Sequence, residues 1–445
     1  MAESVDQFAD IRRRHVLATF LFSLGSSMVS IVTAYIVYQQ SGSVAVSGLI
    51  MVCSSLPAVL LPAPATAIAR RWGGPKDYVY SRLAIGVVGF IPVVLSMTGR
   101  ITTVNLLLWF LLSGILYALS GPATSLIRAM IAAPGQVPEF NGAVAKATAA
   151  GTVIGLIAGG AVFAVLGSTL VFVIGAVVSI AEGLLVVHLL ALAPHTVGPR
   201  ERFREALGVA RTNPSVRAIC VFTAWCFLIG GYSVTLPAVA ALIGTSPLVL
   251  SVLQTAAVVG GILVGWAVRA AHTRIPWGAV HRLCYITVAV GVGVLAWVAA
   301  NAAGAGLRPE LLLVLATVAI IPVGFALTMD TTILGSLIQI ASQSGSRNAV
   351  LSGYAMLPAL FAPMGQELIG LASDRFSVGT ALAAVAVVVG ISVVVGAVSG
   401  GHLTLRRDLN ALSEAEGPPA AAVSLPRSGG NSHEGSLPVG ALAGP

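Results

Sequence analysis

Residues 142–160 read GAVAKATAAGTVIGLIAGG, in an apolar stretch that continues to residue 166 and carries Lys146 as its single charge. Its glycines are separated by eight, three and three residues before a final adjacent pair: Gly142, Gly151, Gly155, Gly159 and Gly160. Glycines three or four positions apart on a helix leave a groove in which another helix approaches closely. The stretch therefore predicts a glycine-lined membrane helix and not the phosphate-binding loop of a soluble protein.

The composition of the whole chain also indicates a membrane protein. Of 445 residues, 57% are hydrophobic and 9% are charged, and the mean hydropathy is +0.94. Soluble globular proteins carry about 25% charged residues, so we predict an all-α polytopic membrane protein. A helix needs about 20 apolar residues to cross a bilayer. Twelve such segments are predicted, at 16–38, 45–69, 80–99, 104–132, 142–166, 168–193, 216–241, 247–269, 281–301, 311–339, 349–372 and 377–400.

Basic residues predict the orientation, because the cytoplasmic loops of membrane proteins carry an excess of lysine and arginine. With both termini in the cytoplasm, all 24 lysines and arginines fall on the cytoplasmic side except Arg100, Arg308 and Arg375. The net charge of +8 follows from this bias and requires no nucleic-acid partner. The arginine-rich start and the long apolar run after it predict an uncleaved first helix and not a signal peptide.

The spans form two groups of six around a longer polar connector, which suggests a duplicated unit. The predicted parts are a cytoplasmic N-terminus (1–15), an N-terminal six-helix bundle (16–193), a cytoplasmic connector (194–215), a C-terminal six-helix bundle (216–400) and a mostly disordered cytoplasmic tail (401–445). The connector is either a short amphipathic surface helix or a solvated linker. The tail is rich in Ala, Gly, Pro and Ser, a composition typical of disorder.

The glycine spacing resembles the G-x8-G-x3-G-P-x2-G-G motif in the fifth helix of major facilitator superfamily antiporters, with Leu156 in place of the proline. Three further stretches, 114–139, 203–217 and 346–350, resemble the bacterial branch that includes enterobactin exporters and drug-efflux proteins. The resemblance covers about residues 12–405. It implies two six-helix bundles, transport out of the cell, and a monomer in the inner (plasma) membrane of a bacterium.

The loop after the second span resembles the superfamily's G-x-x-x-D-R-x-G-R-R signature only in part. Arg71 and Gly73 keep the pattern and Lys76 follows them, but Arg70 stands where the family has aspartate. The resemblance implies that Arg70, Arg71, Gly73 and Lys76 form a cytoplasmic gate loop. Because an arginine cannot accept the gate's hydrogen bonds, either another carboxylate such as Asp77 accepts them or the gate is held differently.

Three carboxylates lie in apolar spans, where a charged side chain is costly and marks a functional site. They are Asp330, Glu367 and Glu182, and each is a candidate proton carrier. Asp330 is the first choice because the resemblance implies that its helix lines the transport cavity. The alternatives are structural. Asp330 would pair with Arg128 or Arg347, Glu367 would pair with Arg375, and Glu182 would form a hydrogen bond within the bundle.

Aromatic and amide side chains in an apolar cavity bind varied organic molecules, and an arginine in a span binds an anionic group or pairs with an acid. The candidates for substrate contact or ion pairing are Arg128, Tyr35, Tyr117, Trp225, Gln254 and Tyr354. Aromatic residues near helix ends are also typical interfacial anchors, and Arg128 is equally explained as an anchor that extends to the cytoplasmic surface.

These features predict a secondary active transporter that exports a small organic molecule (a drug, siderophore or secondary metabolite) by proton antiport and alternating access. Its partners would be that molecule, protons and the lipid bilayer, and drug efflux would confer antibiotic resistance. An importer or uniporter on the same fold is the alternative, because a fold does not decide direction. A membrane enzyme or sensor is the third hypothesis, disfavoured because the histidines are scattered with no H-E-x-x-H or H-x4-D pattern. No Walker motif occurs, which also argues against an ATP-driven pump. No cofactor or metal is predicted, since the cysteines form no C-x-x-C pair.

Overall fold

The computed structural model describes residues 2–131, 137–191, 203–244, 246–271, 277–302, 307–342 and 347–398. Within these residues the chain is helical and contains no β-strand. The predicted tail, 401–445, and the first part of the predicted connector, 194–202, lie outside the described residues. The predicted fold class, an all-α polytopic membrane protein, is confirmed, while the orientation of the termini stays a prediction.

Seventeen α-helices occur in the described ranges. They are α1 (Ala2–Ser41), α2 (Val44–Leu60), α3 (Pro62–Trp72), α4 (Gly74–Val88), α5 (Ile91–Met97), α6 (Thr103–Ile131), α7 (Val137–Leu166), α8 (Ser168–Leu185), α9 (Phe203–Thr212), α10 (Pro214–Gly230), α11 (Leu236–Ile243), α12 (Pro247–Ala271), α13 (Trp277–Asn301), α14 (Pro309–Ala341), α15 (Arg347–Ala355), α16 (Leu357–Arg375) and α17 (Val378–Val398). Short 3-10 turns cover Val187–Ala191 and Gly231–Thr235.

Eleven of the described helices or helix runs are long and apolar enough to cross a bilayer. The pair α2 and α3 passes the same test together but is bent by 64°, and counting it as one span gives the predicted twelve. The bend has a local cause in Pro62, the first residue of α3. A proline donates no backbone hydrogen bond, and it disfavours the helical conformation of the residue before it.

The spans form two halves, α1–α8 and α10–α17, joined through the short helix α9. One packing detail repeats in both halves. In the first half, a Cβ atom added to Gly114 of α6 would lie 2.6 Å from the backbone oxygen of Ser54 in α2. In the second half, a Cβ atom added to Gly324 of α14 would contact the backbone oxygen of Ala257 in α12 in the same way. Ser54 and Ala257 both lie ten residues after the first residue of their helices. Such a repeat is expected of a duplicated six-helix unit.

The two halves contact each other where α2 begins and α16 ends. A Cβ atom on Gly370 of α16 would lie 2.7 Å from the Cα atom of Ala45, and Gly160 near the end of α7 meets Ser251 near the start of α12. We call this end of the molecule the closed end. The arginines at the end of α3, Arg70 and Arg71, lie at the opposite end of the second span.

Candidate functional site

A cavity of about 550 Å³ lies between the two halves. Its walls come from α1, α2, α6 and α7 of the first half and from the 3-10 turn Gly231–Thr235, α11, α12 and α16 of the second. Among the described residues, none that lines the cavity is charged. The polar lining residues are Ser26, Ser27, Ser30, Ser47, Ser54, Thr152, Ser233, Gln254 and Gln366, and apolar side chains such as Phe110, Leu156 and Pro237 fill the rest of the wall.

Several of these serines donate their hydroxyl hydrogen to their own helix. Ser26 Oγ donates to the backbone oxygen of Ser23 at 3.2 Å, Ser47 Oγ to that of Ser43 at 3.2 Å, and Ser54 Oγ to that of Met51 at 3.0 Å. A hydroxyl group that donates in this way keeps lone pairs for a second hydrogen bond. The cavity therefore presents hydrogen-bond acceptors from these three serines and both donors and acceptors from the amides of Gln254 and Gln366.

Besides the helix contacts, one carboxylate forms hydrogen bonds between the halves at the closed end. Asp374, in the last turn of α16, accepts from Ser43 Oγ at 2.5 Å, from the backbone N–H of Val44 at 2.7 Å and from that of Ala45 at 3.2 Å. Ser43 is also the N-cap of α2 and accepts from the Val46 N–H at 3.0 Å. An anion at a helix N-terminus satisfies its free N–H groups and interacts favourably with its dipole. We call this arrangement the Asp374 cap; no sequence pattern places Asp374 opposite Ser43.

Glu367 lies two helical turns before Asp374 on α16, at the same contact between the halves. A Cβ atom on Gly48 of α2 would lie 2.9 Å from Glu367 Oε2, and this buried oxygen accepts no hydrogen bond from the described residues. The preceding residue, Gln366, lines the cavity. The ion pairs of the described chain do not join Glu367 to Arg375. Glu367 is thus placed between the cavity and the Asp374 cap.

Asp330 is buried inside the second half and is not part of the cavity wall. It is 1% exposed, and its carboxylate pairs with Nδ1 of His281 in α13. The His281 ring packs against Phe222, with ring centroids 4.8 Å apart, and against Tyr285 at 4.6 Å. Among the described residues α14 contributes none to the cavity wall, in contrast to what the resemblance implies for this helix, and the Asp330 side chain is directed toward α13. The role of Asp330 as a proton carrier stays a prediction. Sequence reasoning missed His281, although a polar residue in an apolar span always needs a partner.

Glu182 is buried inside the first half. It is 1% exposed, and its Oε1 lies 3.4 Å from Nε of Arg82 in α4. The guanidinium carbon of Arg82 lies 4.6 Å from the ring centre of Phe22 and 5.1 Å from that of Tyr78. The pair joins α4 to α8 within one half. This geometry resembles the structural alternative for Glu182, with an ion pair in place of the expected hydrogen bond, and its role in proton transfer stays a prediction.

Of the predicted substrate-contact residues, Gln254 lines the cavity. The other five lie outside its wall: Tyr35, Tyr117, Arg128, Trp225 and Tyr354. The Tyr35 hydroxyl accepts from Gln39 at 2.7 Å, and its ring meets Phe163 edge-on at 5.4 Å. Tyr354 accepts from the Thr223 hydroxyl at 3.2 Å inside the second half. Arg128 is exposed. The hydroxyl side chains of the cavity were missed, because isolated serines in apolar helices give no pattern in the sequence.

The glycine motif of α7 makes contacts at four of its five positions. Gly151 and Gly155 meet the backbone oxygens of Phe20 and Leu24 in α1, Gly159 meets Met28 in the same helix, and Gly160 meets Ser251 across the two halves. A Cβ atom on Gly142 would have no neighbour within 4 Å. Leu156, which replaces the proline of the family motif, lines the cavity.

The predicted gate loop lies at the surface. Arg70, Arg71 and Lys76 are exposed, and Gly73 has a φ of 80°, which only glycine adopts without strain. Asp77 is 1% exposed and accepts from Ser81 at 3.4 Å in its own helix α4. The function of the loop as a gate stays a prediction.

Comparison with known proteins gives a family and a fold. The family model described as Major Facilitator Superfamily matches residues 16–357, and no curated protein matches the chain. The structure of the nucleoside transporter NupG is similar at a TM-score of 0.64 and 15% identity, covering 91% of this chain and 99% of that one.

Two further solved structures show the same fold. A bacterial homologue of the human lysosomal transporter Spinster, inward-facing and unoccupied, has a TM-score of 0.63 at 16% identity and covers 91% of this chain and 98% of its own. A POT family transporter in complex with a thioalcohol-conjugated peptide has a TM-score of 0.68 at 11% identity and covers 88% and 96%. The exporter branch suggested by the sequence stays a prediction.

Proposed function

The chain belongs to the major facilitator superfamily, and from that premise we propose that it exports a small organic molecule by proton antiport. The observation that carries the proposal is the cavity between the halves, shut at one end by hydrogen bonds and helix contacts that join α2 of the first half to α16 of the second. Transporters of this type expose one central site to each side in turn by rocking the halves. The resemblance to bacterial exporters further supports a monomer in the plasma membrane of a bacterium.

The orientation decides which state the structure represents. With the arginine-rich loops in the cytoplasm, the closed end faces outward and the substrate enters the cavity from the cytoplasm. Rocking then breaks the Asp374 cap and the contact of Gly48 with Glu367. The substrate leaves through the opening that forms between α2 and α16.

We assign the proton to Glu367 in preference to Asp330. An anionic carboxylate needs water or hydrogen-bond donors, and Glu367 Oε2 has no protein donor at the closed end. Opening that end would admit water to it, so its protonation and the position of the halves are coupled. Asp330 pairs with His281 inside one half, and rocking of the halves leaves this pair intact.

The outward direction rests on the glycine motif, and Leu156 departs from it. Import or uniport is therefore the second candidate function. Antiport, proton-coupled import and uniport use the same cavity and the same rocking motion. Proton flow opposes substrate flow in antiport, accompanies it in proton-coupled import and is absent in uniport.

Transport in inside-out vesicles tests the proposal. Vesicles carrying the purified protein receive an acid-inside gradient, and a pH-sensitive dye follows its collapse on addition of antibiotics, siderophores and neutral polyols. We expect substrate-dependent collapse in the wild type and in Glu310→Gln, an exposed carboxylate control, and no collapse in Glu367→Gln.

The Asp330→Asn variant separates the two proton assignments. Normalised to folded protein, it should keep the coupling that Glu367→Gln loses. Coupling that survives in Glu367→Gln and is lost in Asp330→Asn would reverse the assignment. Substrate movement with no proton flux in any variant would contradict antiport and leave uniport.

A further inference from the structure

We propose that the cavity selects an uncharged, polyhydroxylated substrate of the polyol or glycoside class and excludes cations and anions. This deepens the proposed function, on which it rests for the cavity being the transport site. Three observations on the cavity carry it: its lack of charge, the chemistry of its polar groups, and their distribution over both halves.

The first observation is the absence of charge in the described wall. An ion that leaves water for such a cavity loses its hydration and meets no opposite charge, at a cost of several kcal/mol per ion. The buried acids do not supply one, because Asp330 and Glu182 are paired inside their halves. The carboxylate of Glu367 faces Gly48 of α2, at the contact between the halves.

The second observation is the chemistry of the polar groups. Ser26, Ser47 and Ser54 donate to their own helices and so present acceptor lone pairs. These three acceptors are complementary to a ligand with several hydroxyl donors. Gln254 and Gln366 add donors for the ligand's oxygen atoms.

The third observation is that these groups face each other across the cavity. Ser26, Ser47 and Ser54 belong to α1 and α2 of the first half, and the two glutamines belong to α12 and α16 of the second half. A ligand that bonds to both sides is held by both halves at once. Phe110 and Leu156 offer apolar surface to a ring face, and the volume of about 550 Å³ lies in the range of sites for small organic ligands.

The test is a binding assay on the purified full chain in detergent, at one pH and with no gradient. Each scaffold is offered as a neutral, a cationic and an anionic congener: glucose, glucosamine and glucuronate; and uridine, its 5′-amino analogue and its 5′-monophosphate. Equilibrium dialysis and thermal shift give the affinities. We expect the neutral congener to bind at least tenfold more tightly in every scaffold that binds. A Gln254→Leu variant should weaken neutral binding about fivefold, as loss of one hydrogen bond does.

A variant that adds one charge tests the reason for the selectivity. The Ser30→Asp variant should bind glucosamine more tightly than glucose. The Ser30→Asn variant, whose new side chain has the same shape as Asp but no charge, should keep the preference for glucose. Equal or tighter binding of a charged congener to the wild type would overturn the proposal, and so would the absence of any neutral binder. Because no gradient is used, a failure of proton antiport leaves this result unaffected, and charged-substrate binding with intact antiport would contradict only the present inference.

Discussion

At the scale of single residues, the energetic role of a buried charge depends on the partner that it contacts. Arg82 and Glu182 are almost completely buried and lie 3.4 Å apart, whereas Arg14 and Asp10 form an exposed pair at 2.8 Å with side chains 49% and 58% exposed. Removing one member of a buried pair leaves an uncompensated charge in the bundle. An exposed pair is solvated and contributes little.

We therefore expect Arg82→Met to destabilise the protein by about 3–5 kcal/mol, and Arg14→Met by less than about 1 kcal/mol. The double variant Arg82→Met/Glu182→Leu should recover most of the loss, because it removes both buried charges. Thermal denaturation in detergent measures all three against the wild type. An Arg82→Met variant as stable as Arg14→Met would show that Glu182 is neutral or otherwise solvated.

The sequence identified the polar residues of the spans but not their partners. Asp330, Glu182 and Glu367 stand out because acids are rare in apolar helices, yet His281, Arg82 and Gly48 become their neighbours only through helix packing. The cavity serines could not be recognised either, since an isolated serine is common in such helices and bonds to its own backbone. The aromatic residues were poor indicators because a ring fills interior space as readily as it binds a ligand, as Tyr35 does against Phe163.

At the scale of elements, α7 shows how a glycine motif divides its contacts. Gly151, Gly155 and Gly159 follow one face of α7 along α1, and Gly160 reaches α12. Three glycines of the motif thus pack α7 against α1 of its own half, and Gly160 packs it against α12 of the other half at the closed end. The sequence predicted a close helix approach, and the structure identifies α1 as the main partner.

This arrangement provides a matched pair of variants within one motif. Gly155→Ala would press a methyl group against the Leu24 carbonyl and is expected to cost about 1–3 kcal/mol. Gly142→Ala meets no neighbour within 4 Å and should be neutral, or stabilising by up to about 1 kcal/mol because alanine favours the helix. Melting temperatures of the two variants give the comparison. A larger loss in Gly142→Ala than in Gly155→Ala would contradict the contact between α1 and α7.

Composition predicted the spans well, and prolines explain where some of them break. Spans expected as single helices are interrupted before Pro62, Pro237 and Pro358, each in the first turn of a new helix. Pro57 and Pro322 lie inside continuous helices. A proline removes one backbone hydrogen bond in either place, so whether the helix breaks is decided by packing, which the sequence does not show.

At the scale of the whole molecule, the proposed rocking of the halves would have to break the Asp374 cap. Three hydrogen bonds to a carboxylate join α2 to α16. A hydrogen bond to a charged group contributes about 1.5–3 kcal/mol, and these bonds lie at or below the low end of that range because Asp374 is exposed to water. These bonds join the two halves and are not part of the packing inside either half. Loss of the cap should therefore shift the populations of the open and closed states without unfolding the protein.

We expect Asp374→Ala to shift the equilibrium toward an opened end by tenfold or more, since about 1.4 kcal/mol corresponds to a factor of ten. Spin labels at the exposed positions Gln40 and Phe376, in a variant without the four cysteines, report the distance across this end by pulsed EPR. The distance distribution should gain a longer component. Asp10→Asn, which removes an exposed carboxylate in the N-terminal part of α1, serves as the control and should leave the distance distribution unchanged. An unchanged distribution in Asp374→Ala would show that helix packing alone closes the end.

The absence of charged side chains from the described cavity wall also has a consequence for voltage, if the chain is the proposed antiporter of a neutral molecule. If a neutral molecule leaves while one proton enters, each cycle carries one net positive charge into the cell, so the exchange is electrogenic. A potential of 100 mV contributes about 2.3 kcal/mol per charge, equivalent to a roughly fortyfold substrate gradient with no pH difference at all. A potassium diffusion potential set with valinomycin should then drive export in the wild type and not in Glu367→Gln. Transport that does not respond to this potential would mean that the charge of the proton is balanced by a charge on the exported molecule.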